Sequence, residues 1–308
     1  MLYHQPVLVR EVVESLRPRA AGRYLDATAG GGGHAEAILE ACSPDGELLG
    51  IDCDEEAIAA AKTRLKKFGP RVHLVRANFA ELTEITGKFG WSMVNGVLFD
   101  LGISSHQLDR ADRGFSFMKE GPLDMRMDQR QTQTAAGLIE EVREEELRKI
   151  LETFGQERRS RQIARAVVRA RARQKLATTS DLAEIISRAV GGKRGRIHPA
   201  TRAFQAIRIA VNHELANLER GLAAAVKLLA PGGRVAVISF HSGEDGLVKH
   251  TFRRLSADCI CPPGLPICCC EQKKILRVLT KRPIWPPPSE IATNPHSRSA
   301  RLRVAERI

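Results

Sequence analysis

No stretch of the 308-residue chain approaches the roughly 18–20 consecutive apolar residues that crossing a bilayer requires, so no helical membrane anchor is expected. The N-terminal segment also lacks a secretory layout, because Tyr3, His4, Gln5, Arg10 and Glu11 interrupt its apolar residues. A disulfide framework is excluded on other grounds. The seven cysteines are odd in number, and five of them (Cys259, Cys261, Cys268, Cys269 and Cys270) crowd one short segment, leaving Cys42 and Cys53 alone. That usage suits a reducing compartment, and with no leader the expected location is the cytoplasm. There is no internal repeat. No Gly-Lys-Ser/Thr follows the glycine run at 30–33, which rules out a triphosphate-binding loop.

What is present is an ordinary apolar fraction of 43% and a marked excess of base: 48 Lys and Arg against 36 Asp and Glu, a net charge of +12. The first predicts a folded protein. The second favours a polyanionic partner if the charge is clustered, and mere solubility if it is not.

The pattern of elements is informative. Short apolar segments at 23–27, 47–52, 72–75, 96–100 and 234–240 read as strands, and amphipathic segments at 35–41 and 55–68 read as helices between them. Strands alternating with helices imply right-handed crossovers and a mainly parallel sheet. Residues 275–279 and 301–305 suit a closing antiparallel pair. After Asp100 the alternation stops. A polar, glycine-containing stretch covers 104–128, and 134–196 is helix-like almost throughout, with one helix expected over 156–174 and another over 180–190. A single long helix is expected over 199–229. The simplest organisation is α/β with an all-helical insertion: residues 1–105 and 199–308 form the sheet domain, and 106–198 form the insertion.

Ligands of an open parallel sheet bind beyond the carboxyl ends of its strands, where strand order reverses. Asp26-Ala27-Thr28-Ala29-Gly30-Gly31-Gly32-Gly33-His34 occupies such an end. The glycines allow close approach of backbone to ligand, but the run alone fits two cofactors, since Gly30, Gly32 and Ala35 also satisfy a dinucleotide pattern. Asp52, ending the second strand, suits the ribose of either. Other residues tilt the choice toward S-adenosylmethionine. Asp26 suits a cationic ligand and would repel a pyrophosphate. The Phe79 ring is suited to packing on an adenine, and Asp100 ends the fourth strand beside the reacting group.

Longer signatures are more specific. His4-Gln5-Pro6-Val7-Leu8, the turn ending in His34, Phe99-Asp100-Leu101-Gly102-Ile103-Ser104-Ser105 with Gln107-Leu108-Asp109, and Arg113-Gly114-Phe115-Ser116-Phe117 occur in that order. Gly121-Pro122-Leu123-Asp124-Met125-Arg126-Met127, His198-Pro199-Ala200-Thr201-Arg202, Ser239-Phe240-His241-Ser242 and the segment from Asn294 to Arg303 follow. Together they resemble the bacterial small-subunit ribosomal RNA cytosine-N(4) methyltransferases, the MraW family, from His4 to the C-terminus. The resemblance implies a Rossmann-like class I S-adenosylmethionine-dependent methyltransferase sheet with an inserted helical substrate-recognition domain. It implies S-adenosylmethionine as donor and a cytidine in the decoding region of 16S rRNA, within the small ribosomal subunit, as acceptor; a homodimer stays open. Carried over by motif, the cofactor residues are Gly32, Gly33, His34, Asp52, Phe79, Asp100 and Gln107, with Asp124, Arg126, His241 and Ser242 toward substrate. Ala27, Ala29, His106 and Gly243 depart from the family pattern, but none removes a polar group. Two other classes compete: a nicotinamide dehydrogenase, which shares only the turn and Asp52, and a non-catalytic ribosome-assembly protein.

No catalytic residue is assigned outright. A cytosine amine is a poor nucleophile, and an acceptor for one of its protons would localise its lone pair. The Ser/Asp-Pro-Pro-aromatic motif of DNA amino-methyltransferases is absent, Asp100-Leu101-Gly102-Ile103 standing in its place, and the hypothesis adopted is that Asp100, or Asp124 from the insertion, accepts the proton. For Asp124, holding a turn is an equal alternative. Arg161, Arg165, Arg169 and Arg173 recur every fourth residue opposite Ile163 and Val167, a stripe suited to an RNA backbone or simply to solvent. Cys259-x-Cys261 and Cys268-x-Cys270 resemble two halves of a thiolate metal site. The spacing is tighter than common zinc patterns, so no metal is assigned and a loop of free cysteines remains the alternative.

Overall fold

The computed structural model describes residues 5–192, 198–261 and 269–308. The chain divides into two compact units, 1–102 with 215–308, and 103–214. In the first, seven strands form one sheet: β1 (Arg23–Asp26), β2 (Glu47–Asp52), β3 (Val72–Arg76), β4 (Val94–Asp100), β5 (Leu229–Ser239), β6 (Leu276–Val278) and β7 (Arg301–Arg307). Their order is β3-β2-β1-β4-β5-β7-β6, parallel except for β7, which runs antiparallel between β5 and β6. This is the class I methyltransferase sheet that the sequence led us to expect, with its order reversing between β1 and β4.

Period-two alternation builds the two faces of the sheet. Leu25, Leu49, Ile51, Val97, Phe99, Val235 and Val237 pack on one face with α4 (Leu82–Lys88), α11 (Glu214–Leu228) and α12 (Ser242–Leu255). Their neighbours Tyr24, Leu48, Leu98, Ala236 and Ile238 pack on the other with α1 (Val9–Leu16), α2 (Gly33–Ala41) and α3 (Glu55–Leu65). A short α13 (Pro288–Thr293) precedes β7.

The second unit contains α5 (Ser105–Asp109), α6 (Ala135–Glu141), α7 (Glu144–Gly155), α8 (Ser160–Arg171), α9 (Thr179–Ala189) and α10 (Ala200–Asn212) around its own core of Leu147, Leu151, Ile163, Val167, Leu182, Ile186, Phe204 and Ile207. Three expectations are corrected here. The helix expected over 199–229 is two helices, because His213 adopts a left-handed conformation (φ 50°) that ends α10 before α11 begins. The insertion therefore does not stop at 198. It runs to Glu214, because α10 packs on α7 within the helical core. The helix expected from Gln156 starts only at Ser160, since Gln156 takes φ 48° and terminates α7. Among the described residues, no helix is long and apolar enough to cross a membrane.

Candidate active site

In the sheet unit the site is built from strand ends. Parallel register sets Asp26 opposite Gly50 and Leu98, so the carboxyl ends of β1, β2 and β4 share one edge. Main-chain bonds fix the turn after β1 to both neighbours: Ala27 N–H donates to Leu98 O (2.9 Å) and Ala29 N–H to Ile51 O (2.8 Å). Gly32 caps α2 at φ 80°, a conformation that costs a residue with a side chain about 1 kcal/mol or more. Gly33 is required by packing, since a Cβ there would lie 2.7 Å from Pro6 Cγ.

Asp52 is oriented from both sides. Its Oδ2 accepts from Gly30 N–H (2.8 Å) and its Oδ1 from Asp54 N–H (2.9 Å), which locks the glycine turn to the end of β2. Burial raises its pKa to about 6, against the pull of those two N–H groups.

Asp26 is 1% exposed; its Oδ1 accepts from Thr28 N–H (3.2 Å) while Oδ2 has no partner among the described residues. Burial first, then the nearby Asp52, pushes its pKa up to about 7. Asp100 is similar. Its Oδ1 has no partner among the described residues either, and burial, followed by repulsion from Asp26 and Glu244, holds its carboxyl well above the usual range. Its main chain is anchored by donating to Thr28 Oγ1 at 2.6 Å. Thr28 thus ties the β1 turn to the end of β4.

His34 is buried in the first turn of α2. Its Nε2 lies 2.8 Å from Val7 O, and since only an N–H can bond a carbonyl, Nε2 carries the proton. In the neutral ring Nδ1 is then the acceptor, 3.5 Å from Asp100 Oδ2. Phe79 follows β3, with its ring edge-on to Phe99 (5.5 Å between centroids) and against Gly221, where a Cβ would come within 2.7 Å. It is half-buried.

His241 and Ser242 open α12. Ser242 is exposed, whereas the His241 ring is turned onto its own helix. Its Nδ1 accepts from Glu244 N–H (3.4 Å), and Nε2 lies 3.1 Å from Glu244 Oε1, off the hydrogen-bond direction. Buried Glu244 in turn accepts from Phe240 N–H at 2.9 Å. Here His241 acts as a helix cap.

Gln107, Asp124 and Arg126 belong to the helical unit. Gln107 is buried, and its Oε1 accepts from Ser104 N–H (3.0 Å), completing a capping box on α5. The Asp124 carboxylate is gripped by Arg126 through Nε (2.8 Å) and Nη2 (2.7 Å), and Arg126 also donates to Gln131 O (2.6 Å). The Asp124 carboxylate thus holds a turn, its Oδ1 also accepting from Arg126 N–H at 3.0 Å. Asn212 steadies the same loop, accepting from Met127 N–H (2.7 Å) and donating to Met125 O (2.8 Å). On α8 and the residues just after it, Arg161, Arg165, Arg169 and Arg173 are all exposed, and their guanidinium groups make no hydrogen bond or ion pair among the described residues. Arg171 faces inward instead, donating to Val142 O at 2.6 Å and to Ile139 O.

Thr28, Glu244 and Asn212 escape a reading of the sequence alone. Thr28 sits inside the glycine-rich turn and Glu244 three residues past His241, so a capping pattern is visible at the second. Asn212 acts on a loop far away in sequence, and no local signal marks it.

Comparison with known proteins matches the chain throughout. The model of the MraW methylase family matches residues 1–308. "Ribosomal RNA small subunit methyltransferase H" of Thermomicrobium roseum is 51% identical over 305 residues, covering 99% of this chain and 94% of the relative. The proteins of the same name from Geobacter sulfurreducens (50% identical, 99% of each chain) and Symbiobacterium thermophilum (48%, covering 99% and 97%) are similar along their full lengths.

Proposed function

The chain belongs to the MraW methylase family, and on that footing we propose that it methylates N4 of a cytidine in the decoding region of 16S rRNA, with S-adenosylmethionine as donor. The observation that carries the reading is the pair of buried carboxyl oxygens beside the glycine turn, Asp26 Oδ2 and Asp100 Oδ1, which have no partner among the described residues. Buried acids with raised pKa await positive charge. A ligand bearing an ammonium and a sulfonium fits them; a dinucleotide pyrophosphate does not.

In this reading Asp52, held by two backbone N–H groups, accepts from ribose hydroxyls, Phe79 packs beside the adenine, and Gly32, Gly33 and His34 line the turn. S-adenosylmethionine supplies an electrophilic methyl group for in-line displacement, so the protein's task is mainly positioning. Asp100 accepts the proton that the cytosine amine sheds. A cation beside it favours loss of the carboxyl proton to solvent, and burial keeps the resulting carboxylate a stronger base than an exposed one. Asp124, neutralised by Arg126, is a weaker candidate and serves to shape the loop. The exposed arginines of α8 bind the RNA backbone. The small ribosomal subunit is the substrate particle and the cytoplasm the site of action.

The test is transfer of labelled methyl groups to small subunits from a strain lacking the enzyme, followed by nucleoside analysis. Label in N4-methylated cytidine is expected. Donor binding without transfer to any RNA would leave a non-catalytic assembly protein instead.

A further inference from the structure

The cysteine-rich segment between α12 and β6 has no part in the site described above. Its thiols nevertheless converge. The sulfurs of Cys259, Cys261 and Cys270 all lie within 4.8 Å of one another. Cys259 Sγ and Cys270 Sγ are 3.7 Å apart, and Cys261 Sγ and Cys269 Sγ are 3.8 Å apart. A disulfide needs about 2.05 Å between sulfurs, so these are unbonded thiols. In a tetrahedral site with metal–sulfur bonds of about 2.3 Å, the sulfurs stand about 3.8 Å from each other. The Cys259–Cys270 and Cys261–Cys269 separations match that value, and the triad as a whole lies within 4.8 Å.

Two further hydrogen bonds point the same way. Ile260 N–H donates to Cys270 Sγ (3.4 Å) and Cys261 N–H to Cys259 Sγ (3.3 Å). Backbone N–H groups aimed at sulfur stabilise thiolate, the form that binds metal. Seen as sequence, Cys-x-Cys is too tight for common zinc patterns. The chain resolves this by folding the two ends of the segment together, so that each contributes to one site.

We propose that Cys259, Cys261 and Cys270 bind a zinc ion as thiolates. The fourth corner is filled next to this triad, where Cys269 approaches Cys261; Cys268 lies outside the described residues. Binding involves no redox change: each coordinating thiol releases its proton to solvent as its sulfur bonds the metal. The ion closes the connection between α12 and β6 into a clip, a structural role rather than a catalytic one.

The test is metal analysis of the full-length protein, purified under reducing conditions from zinc-supplemented cells. About one zinc per chain is expected, and Cys259→Ser, Cys261→Ser and Cys270→Ser should each lose it, while Cys53→Ser keeps it. Cobalt added to chelator-stripped protein should give a thiolate-to-cobalt charge-transfer band. Because both metal content and the cobalt band are read on the unmutated chain, a poorly folding variant does not blunt the test. Metal-free protein with no cobalt band, or a mass two hydrogens lighter for a disulfide within the segment, overturns the proposal.

Discussion

At the scale of single residues, the buried acids set the behaviour of the site. The unfolded pKa of an Asp is close to 3.8, and the folded chain raises Asp26 to about 7 and Asp52 to about 6. The ligand-free fold is therefore favoured below the unfolded value and loses stability as pH climbs through about 6 and 7. Asp26→Asn should flatten this slope, and at pH 8 it should stabilise the ligand-free protein by on the order of 2–4 kcal/mol, seen as a higher melting temperature. The same variant should bind S-adenosylmethionine at least tenfold more weakly by calorimetry. If the melting profile keeps its slope, Asp26 is not the group that titrates. Asp100→Asn should lower turnover by roughly 10²-fold or more while leaving RNA affinity intact, a split that single-turnover kinetics and filter binding would resolve. Thr28→Val strands the Asp100 N–H without an acceptor, and should cost about 1–3 kcal/mol of stability in urea titration.

Elements show where sequence was legible and where it was not. The central strands of the parallel sheet could be read because each carries a short apolar run, largely buried on both faces, that ends in a turn signal, whereas the edge strand β3 is only half-buried along its length. The helix over 199–229 misled because Asn212, His213 and Glu214 are unremarkable in a helical pattern. What breaks it is tertiary: Asn212 serves the loop at 125–127, and His213 takes a left-handed conformation. His213→Gly should raise stability by about 0.5–1 kcal/mol, since glycine meets the left-handed C-cap without strain; an unchanged or lower melting temperature would mean that the histidine ring has another role. The bonds made by the residues that the motifs single out were not legible in the sequence. Gln107, Asp124 and His241 each spend their polar atoms on local caps and turns, which motif spacing cannot reveal. On α8 the stripe was legible, but Arg171 is separable from its exposed neighbours only through its bonds to Ile139 and Val142. Arg165→Glu with Arg169→Glu should weaken RNA binding and reduce its salt slope by about 1 for each phosphate left without its arginine. An unaltered slope would make the stripe a solvated face.

For the molecule as a whole, the two units are fed by the chain in an uneven order. The sheet unit takes residues from both ends of the sequence, and the helical unit takes one continuous block between them. β4 pairs with β5 over a long register, yet the entire helical unit is encoded between the two strands. Synthesis therefore delivers β1 to β4 with the β4 edge bare, and that edge stays bare until Leu229 and its successors leave the ribosome. The helical unit, built on pairings close in sequence, is complete before then and folds first among the later residues. An exposed parallel edge invites pairing with other chains. The time spent translating 103–228 is thus the interval in which a nascent chain is most exposed to misassembly, and a slower passage through those codons lengthens it.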